Sequence, residues 1–68
     1  MNFRIEFEQE DDGRWIAEIP QLPGVMVYGD TKAEAKSKVE TLAFRVVADQ
    51  IERDGTSTDH IAFEEAVA

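Results

Sequence analysis

Asp12-Gly13-Arg14-Trp15-Ile16-Ala17-Glu18-Ile19-Pro20-Gln21-Leu22-Pro23-Gly24-Val25-Met26-Val27-Tyr28-Gly29-Asp30-Thr31 is the stretch that decides the fold. It holds a glycine turn, an aromatic strand, a proline-bounded bend, a second short strand and a helix start, with almost nothing between them. Upstream, Phe3, Ile5 and Phe7 alternate with Arg4, Glu6 and Glu8, the period of a half-buried strand. Trp15, Ala17 and Ile19 alternate in the same way. With Asp11-Asp12-Gly13 as a three-residue hairpin loop, Glu10 faces Arg14, Phe7 faces Ala17 and Ile5 faces Ile19, and every apolar partner falls on one face. Gly13 then takes the left-handed position of a type I turn with a G1 bulge, where a Cβ is costly. Gly13→Val is expected to harm the hairpin more than changes at the other surface glycines.

Pro20 has no amide proton and should end the second strand. Pro23-Gly24 reads as a type II turn, with Pro fixing φ at the first central position and Gly accepting positive φ at the second. Leu22, between the prolines, should tuck inward. Val25 to Tyr28 reads as a third strand, with Val25 and Val27 inward and Met26 and Tyr28 outward. Gly29 is expected to let the chain turn into a helix. Thr31-Lys32-Ala33-Glu34 fits a capping box, and Asp30 adds negative charge near the positive end of the helix dipole. Ala35, Val39, Leu42, Ala43, Val46 and Val47 follow helical spacing, Ile51 extends the stripe, and Gln50 falls near its centre. The helix should end near Arg53-Asp54 with Gly55 as a left-handed cap, a length of about 22 residues. After Thr56-Ser57-Thr58-Asp59, the residues His60-Ile61-Ala62-Phe63 read as a last short strand and Glu64 to Ala68 as a loose end.

The expected architecture is α+β, βββαβ: a three-stranded antiparallel meander, one long helix across its inner face, and a short last strand, all in a single domain over residues 1–68. The inner set is Phe3, Ile5, Phe7, Trp15, Ala17, Ile19, Val25 and Val27, with Trp15 a core anchor rather than a stacking platform. The outer face mixes Arg4, Glu6, Glu8 and Glu18 with Ile16, Met26 and Tyr28, three apolar residues that this core does not need and that suit an interface.

The chain has 68 residues, no cysteine and a net charge of −8. A core this small is marginal without a disulfide, a metal or a partner, so oligomerisation or a stable partner is the expected support. With no signal-like start and no apolar run near membrane length, a cytoplasmic protein off the membrane is expected. Residues 31–53 carry five cations against four carboxylates, whereas the rest carries Arg4 and Arg14 against eleven. Phosphate backbones would be repelled by that surface and a basic protein steered to it.

Signals for catalysis are thin. His60 is the sole histidine, without a second His or any Cys to share a metal. Asp11 and Asp12 suit a hairpin tip, Ser37 and Ser57 lack a neighbouring base, and no glycine cluster could cradle a phosphate. No enzyme activity, cofactor or metal is expected. A degenerate nuclease, revived only by metal-dependent cleavage through Asp11 or Asp12, is the remote reading.

The motif Asp12-Gly13-x-Trp15, then Pro20-x-Leu22-Pro23-Gly24, then Gly29-Asp30-Thr31 with Glu34-Ala35 opening the helix, resembles the HicB-like antitoxin family from Phe3 to about Ile51. The resemblance implies a partial ribonuclease-H-like βββαβ unit. It also implies a small basic partner, a HicA-like toxin that cleaves messenger RNA and is silenced when its active site is covered. Many members add a C-terminal DNA-binding domain. This sequence is like the short form without one, and self-repression by the polypeptide alone is not expected. The candidate contact surface is the acidic hairpin and outer sheet face: Glu6, Glu8, Glu10, Asp11, Asp12, Ile16, Glu18, Met26 and Tyr28. Phe44 and Ile51, on the helix shoulder, are the candidate contacts for a homo-oligomer, a dimer or tetramer. The second expectation is a solitary HicB-like interaction module with no cognate toxin.

Overall fold

The computed structural model describes residues 1–66, and the Val67 and Ala68 part of the expected loose end lies outside them. The fold is α+β, with a four-stranded mixed sheet and one long helix. Its elements are β1 (Asn2–Gln9), β2 (Trp15–Glu18), β3 (Met26–Gly29), α1 (Lys32–Asp54) and β4 (Ala62–Glu65). The sheet order is β3-β2-β1-β4. β1 runs antiparallel to β2 with Phe7 opposite Ala17, and β2 antiparallel to β3 with Ala17 opposite Val27.

The hairpin follows from its turn chemistry. The Gly13 N–H donates to the Glu10 carbonyl at 2.9 Å and the Glu10 N–H to the Arg14 carbonyl at 2.7 Å, while Gly13 sits at φ 90°. Asp12 locks the tip: one carboxylate oxygen accepts from the Arg14 N–H at 3.1 Å and the other from Nε at 3.0 Å. From Ile19 two turns follow in series, the first holding Pro20: Leu22 N–H to Ile19 carbonyl (2.9 Å) and Val25 N–H to Leu22 carbonyl (3.0 Å). Gly24, at φ 84°, supplies the positive φ of the second. Leu22 is buried beneath them.

Thr31 caps α1, its side-chain oxygen accepting from the Glu34 N–H at 3.0 Å. Gly55, at φ 70°, closes the other end by donating to the Ile51 carbonyl. Only half of the expected capping box forms, because the Glu34 carboxylate pairs forward with Lys38 at 2.9 Å. The Lys38 ammonium holds the Glu34 carboxyl below the ordinary 4.5, through its hydrogen bond first and its charge second. The folded value is the lower one. The pair's small contribution is therefore complete above the ordinary glutamate value and is lost as pH falls through the folded value. In an NMR titration, Lys38→Met should return Glu34 toward its ordinary midpoint. An unmoved midpoint would assign the shift to the helix N-terminus instead.

The core is Phe3, Ile5, Ala17, Ile19, Leu22 and Val25 of the sheet side against Ala35, Val39, Ala43 and Val47 of α1. At about 1.5 Å per residue, the 23-residue helix is close to 35 Å long and sets the long axis of a body measuring 42 × 20 × 17 Å.

Several expectations are corrected. The helix packs on β2 and β3 and only grazes β1, which leaves Phe7 half-buried. Trp15 and Val27 are half-buried too, packed against the core rather than within it. Lys32 covers Phe7 and Trp15, its ammonium 4.9 Å from the Phe7 ring centre and 5.9 Å from that of Trp15. Gln50, at the centre of the stripe, is half-buried. β3 begins one residue later than expected and ends at Gly29.

Gly29 has no positive φ. Its need is closeness, since an added Cβ would lie 2.5 Å from the Ala35 amide nitrogen. At Gly13 a Cβ would meet open space, and the constraint there is the left-handed φ of 90° that the hairpin turn requires. The tightest glycine of the fold is the buried Gly29, outside the comparison among surface glycines. The last strand starts two residues later than expected and takes in Glu64 and Glu65. It runs parallel to β1, with Phe3 beside Phe63.

Candidate partner-binding face

Strand parity and register assemble the outer face into cross-strand rows. One row is Glu8–Ile16–Tyr28 and the next is Glu6–Glu18–Met26. Arg4 and Glu64 continue the face toward β4. Six of the nine candidate contact residues therefore lie side by side on one surface. Met26 and Tyr28 are 49% and 41% exposed, far more than a strand residue committed to a core, and Ile16 between them is half-buried. The Arg14 guanidinium lies 4.9 Å from the Tyr28 ring centre and orients that ring at an exposed cation–π distance.

The charge on this face is unbalanced. Glu6 and Glu18 stand directly opposite each other on neighbouring strands, an arrangement that costs stability in a sheet. No carboxylate of Glu6, Glu8, Glu10 or Glu18 joins an ion pair among the described residues.

The remaining three candidates stand apart. Asp11 and Asp12 are at the hairpin tip, and Glu10 is half-buried at its base. Asp12 is committed to Arg14, whose backbone N–H, first among the causes, holds the Asp12 carboxyl below its ordinary 3.8. It is a turn clamp rather than a free contact.

On the opposite side of the sheet, Phe44 is 51% exposed. Its ring meets Phe63 edge-on at 5.6 Å, and Phe63 lies 6.0 Å from Phe3. Ile51 is half-buried on the same flank.

Two contributors were not singled out from the sequence. Lys32 reads as an ordinary first-turn lysine, yet it shields two aromatic rings and pairs with Glu65 at 3.2 Å. Lys38 donates to the Tyr28 carbonyl at 3.3 Å and so blunts the β3 edge.

Surface grooves offer little chemistry. The one between β3 and α1, about 350 Å³, is lined by Val27, Ser37, Lys38, Thr41, Leu42 and Arg45. A shallow one of about 340 Å³ follows the Pro20–Pro23 bend. Neither holds a carboxylate–histidine or nucleophile–base pair. His60 is exposed, its carbonyl accepting from the Thr58 hydroxyl at 2.9 Å. Among the described residues no group of three His, Asp or Glu converges as a metal site would require, and no helix is long and apolar enough to cross a membrane. No protein-family model, curated protein or solved structure matches the chain.

Proposed function

We propose that this protein is an antitoxin-type inhibitor that binds and occludes a small basic, messenger-RNA-cleaving toxin of the HicA-like kind, without catalysis and as a homo-oligomer in the cytoplasm. The observation that carries this reading is the outer sheet face. It combines an outward apolar strip, the exposed Met26 and Tyr28 with the half-buried Ile16 beside them, with three carboxylates, Glu6, Glu8 and Glu18, that join no ion pair among the described residues. Such a face suits a partner with an apolar patch ringed by lysine and arginine: burial supplies the affinity, and charge supplies fast encounter and selectivity. The Asp12–Glu34 motif adds the family resemblance, and the element order agrees with the partial ribonuclease-H-like unit that the resemblance implies.

The test is co-purification of the tagged protein expressed from DNA that spans its gene and both neighbours. Recovery of a small basic protein at fixed stoichiometry, toxic when expressed alone and harmless with this chain, is the expected result. Recovery of this chain without such a protein would leave the second reading, a solitary HicB-like interaction module. The same acidic face supports that reading, for a basic partner of another kind.

A further inference from the structure

We infer that the free edge of β4 pairs antiparallel with the same edge of a second copy, joining two sheets into one of eight strands. Hydrogen-bond parity exposes that edge. The Ala62 N–H donates to the Met1 carbonyl at 2.8 Å and the Ala66 N–H to the Ile5 carbonyl at 2.9 Å, so the even positions of β4 face β1. The backbone groups of Ile61, Phe63 and Glu65 therefore point away from the sheet, and β4 is its last strand. Such a row is a template for another strand unless it is guarded. The opposite edge is guarded, because Lys38 occupies the Tyr28 carbonyl. The β4 edge has no equivalent among the described residues.

Side chains select the occupant and the register. Phe63 lies on the helix side of the sheet against Phe3 and Phe44, and half of Phe44 is in water. A twofold axis through Phe63 brings the two Phe63–Phe44 pairs together and covers the exposed ring. That register sets Glu64 opposite Ala62 of the other copy and Glu65 opposite Ile61. The alternative, centred on Glu64, would set carboxylate against carboxylate at the closest approach, which is unfavourable. Lys32 of the same chain already neutralises Glu65. The edge thus matches itself in backbone pattern, and this register sets no carboxylate directly opposite another. This inference deepens the self-association part of the reading above and is independent of the toxin part. A dimer that binds no basic protein leaves it standing, and a monomer that does leaves the toxin reading standing.

The test is sedimentation of the full chain over a wide concentration range, together with amide exchange. The wild type should sediment at the mass of two chains, with Phe63 and Glu65 amides as protected as those of Ala62 and Glu64. Glu65→Pro removes an outward-pointing N–H that β1 does not use, and Phe44→Lys places a charge in the seam. Each should weaken the dimer roughly tenfold or more while the circular dichroism of the fold is retained. Glu65→Ala, which keeps that N–H, and Tyr28→Lys, on the other face, should leave the dimer intact. A wild type that stays monomeric at millimolar concentration overturns the inference. So does a dimer that survives both Glu65→Pro and Phe44→Lys, or one that Tyr28→Lys disrupts.

Discussion

Gly29→Ala should lower the thermal midpoint more than any other glycine substitution in this chain. An added Cβ would sit 2.5 Å from the Ala35 nitrogen, 2.9 Å from its Cα and 3.0 Å from the Thr31 carbonyl oxygen. All three are backbone atoms of the capped first turn, and no side chain can swing away to make room. The Ala35 N–H also donates to that same Thr31 carbonyl at 3.0 Å, so yielding means lifting the helix start off β3. Overpacking of this kind costs about 3 kcal/mol, the upper end of the usual range. At about 4–8 °C per kcal/mol for a domain of this size, the midpoint should fall by roughly 12–24 °C. A core of this size supplies only about 3–5 kcal/mol in total, so the variant should be close to unfolded at physiological temperature.

Gly13→Ala is the matched comparison. It meets no atom within 4 Å and bears only the strain of φ 90°, about 1 kcal/mol. Thermal unfolding by circular dichroism separates the two mechanisms. Equal losses at both sites would mean that α1 does not approach β3 as closely as its geometry requires.

The same contrast shows what could be read from the sequence. Local chemistry was legible: the Gly13 hairpin with Phe7 opposite Ala17, the Pro23-Gly24 turn, and both ends of the helix at Thr31 and Gly55. Each depends on residues within a few positions of one another. What was not legible depends on long-range partners. Gly29 looks like a turn glycine until Ala35 is packed against it. Glu64 and Glu65 are poor strand formers, yet they join β4 because β1 offers its second edge as a hydrogen-bonding partner. Glu34 completes a capping box on paper, but Lys38 one turn ahead competes for its carboxylate. The candidate face was legible as a composition, acidic with three outward apolar residues. That Asp12 is withdrawn from it by Arg14 follows only from the folded turn.

Glu18→Lys should strengthen the isolated domain and weaken its complex with a basic partner. In the free protein the change replaces the opposed Glu6/Glu18 pair by an attractive one, a gain of about 0.5 kcal/mol in a cross-strand position. In the complex it places a lysine against the partner's cations. That should cost about tenfold in affinity or more, most of it at low salt where screening is weak. The triple change of Glu6, Glu8 and Glu18 to Lys should cost roughly a hundredfold or more and flatten the salt dependence of binding. Glu18 is a better third position than Asp12, whose removal would loosen the hairpin and confuse a lost contact with a lost turn. Calorimetric binding to the co-purified partner, with thermal unfolding of the free variant, reads both effects. A domain that gains stability and loses affinity has kept its opposed carboxylates for the partner, at a cost to its own fold. A domain that gains stability with affinity unchanged shows the acidic face to be solvent surface and moves the partner to the flank of α1 around Phe44 and Ile51, in competition with the paired β4 edges.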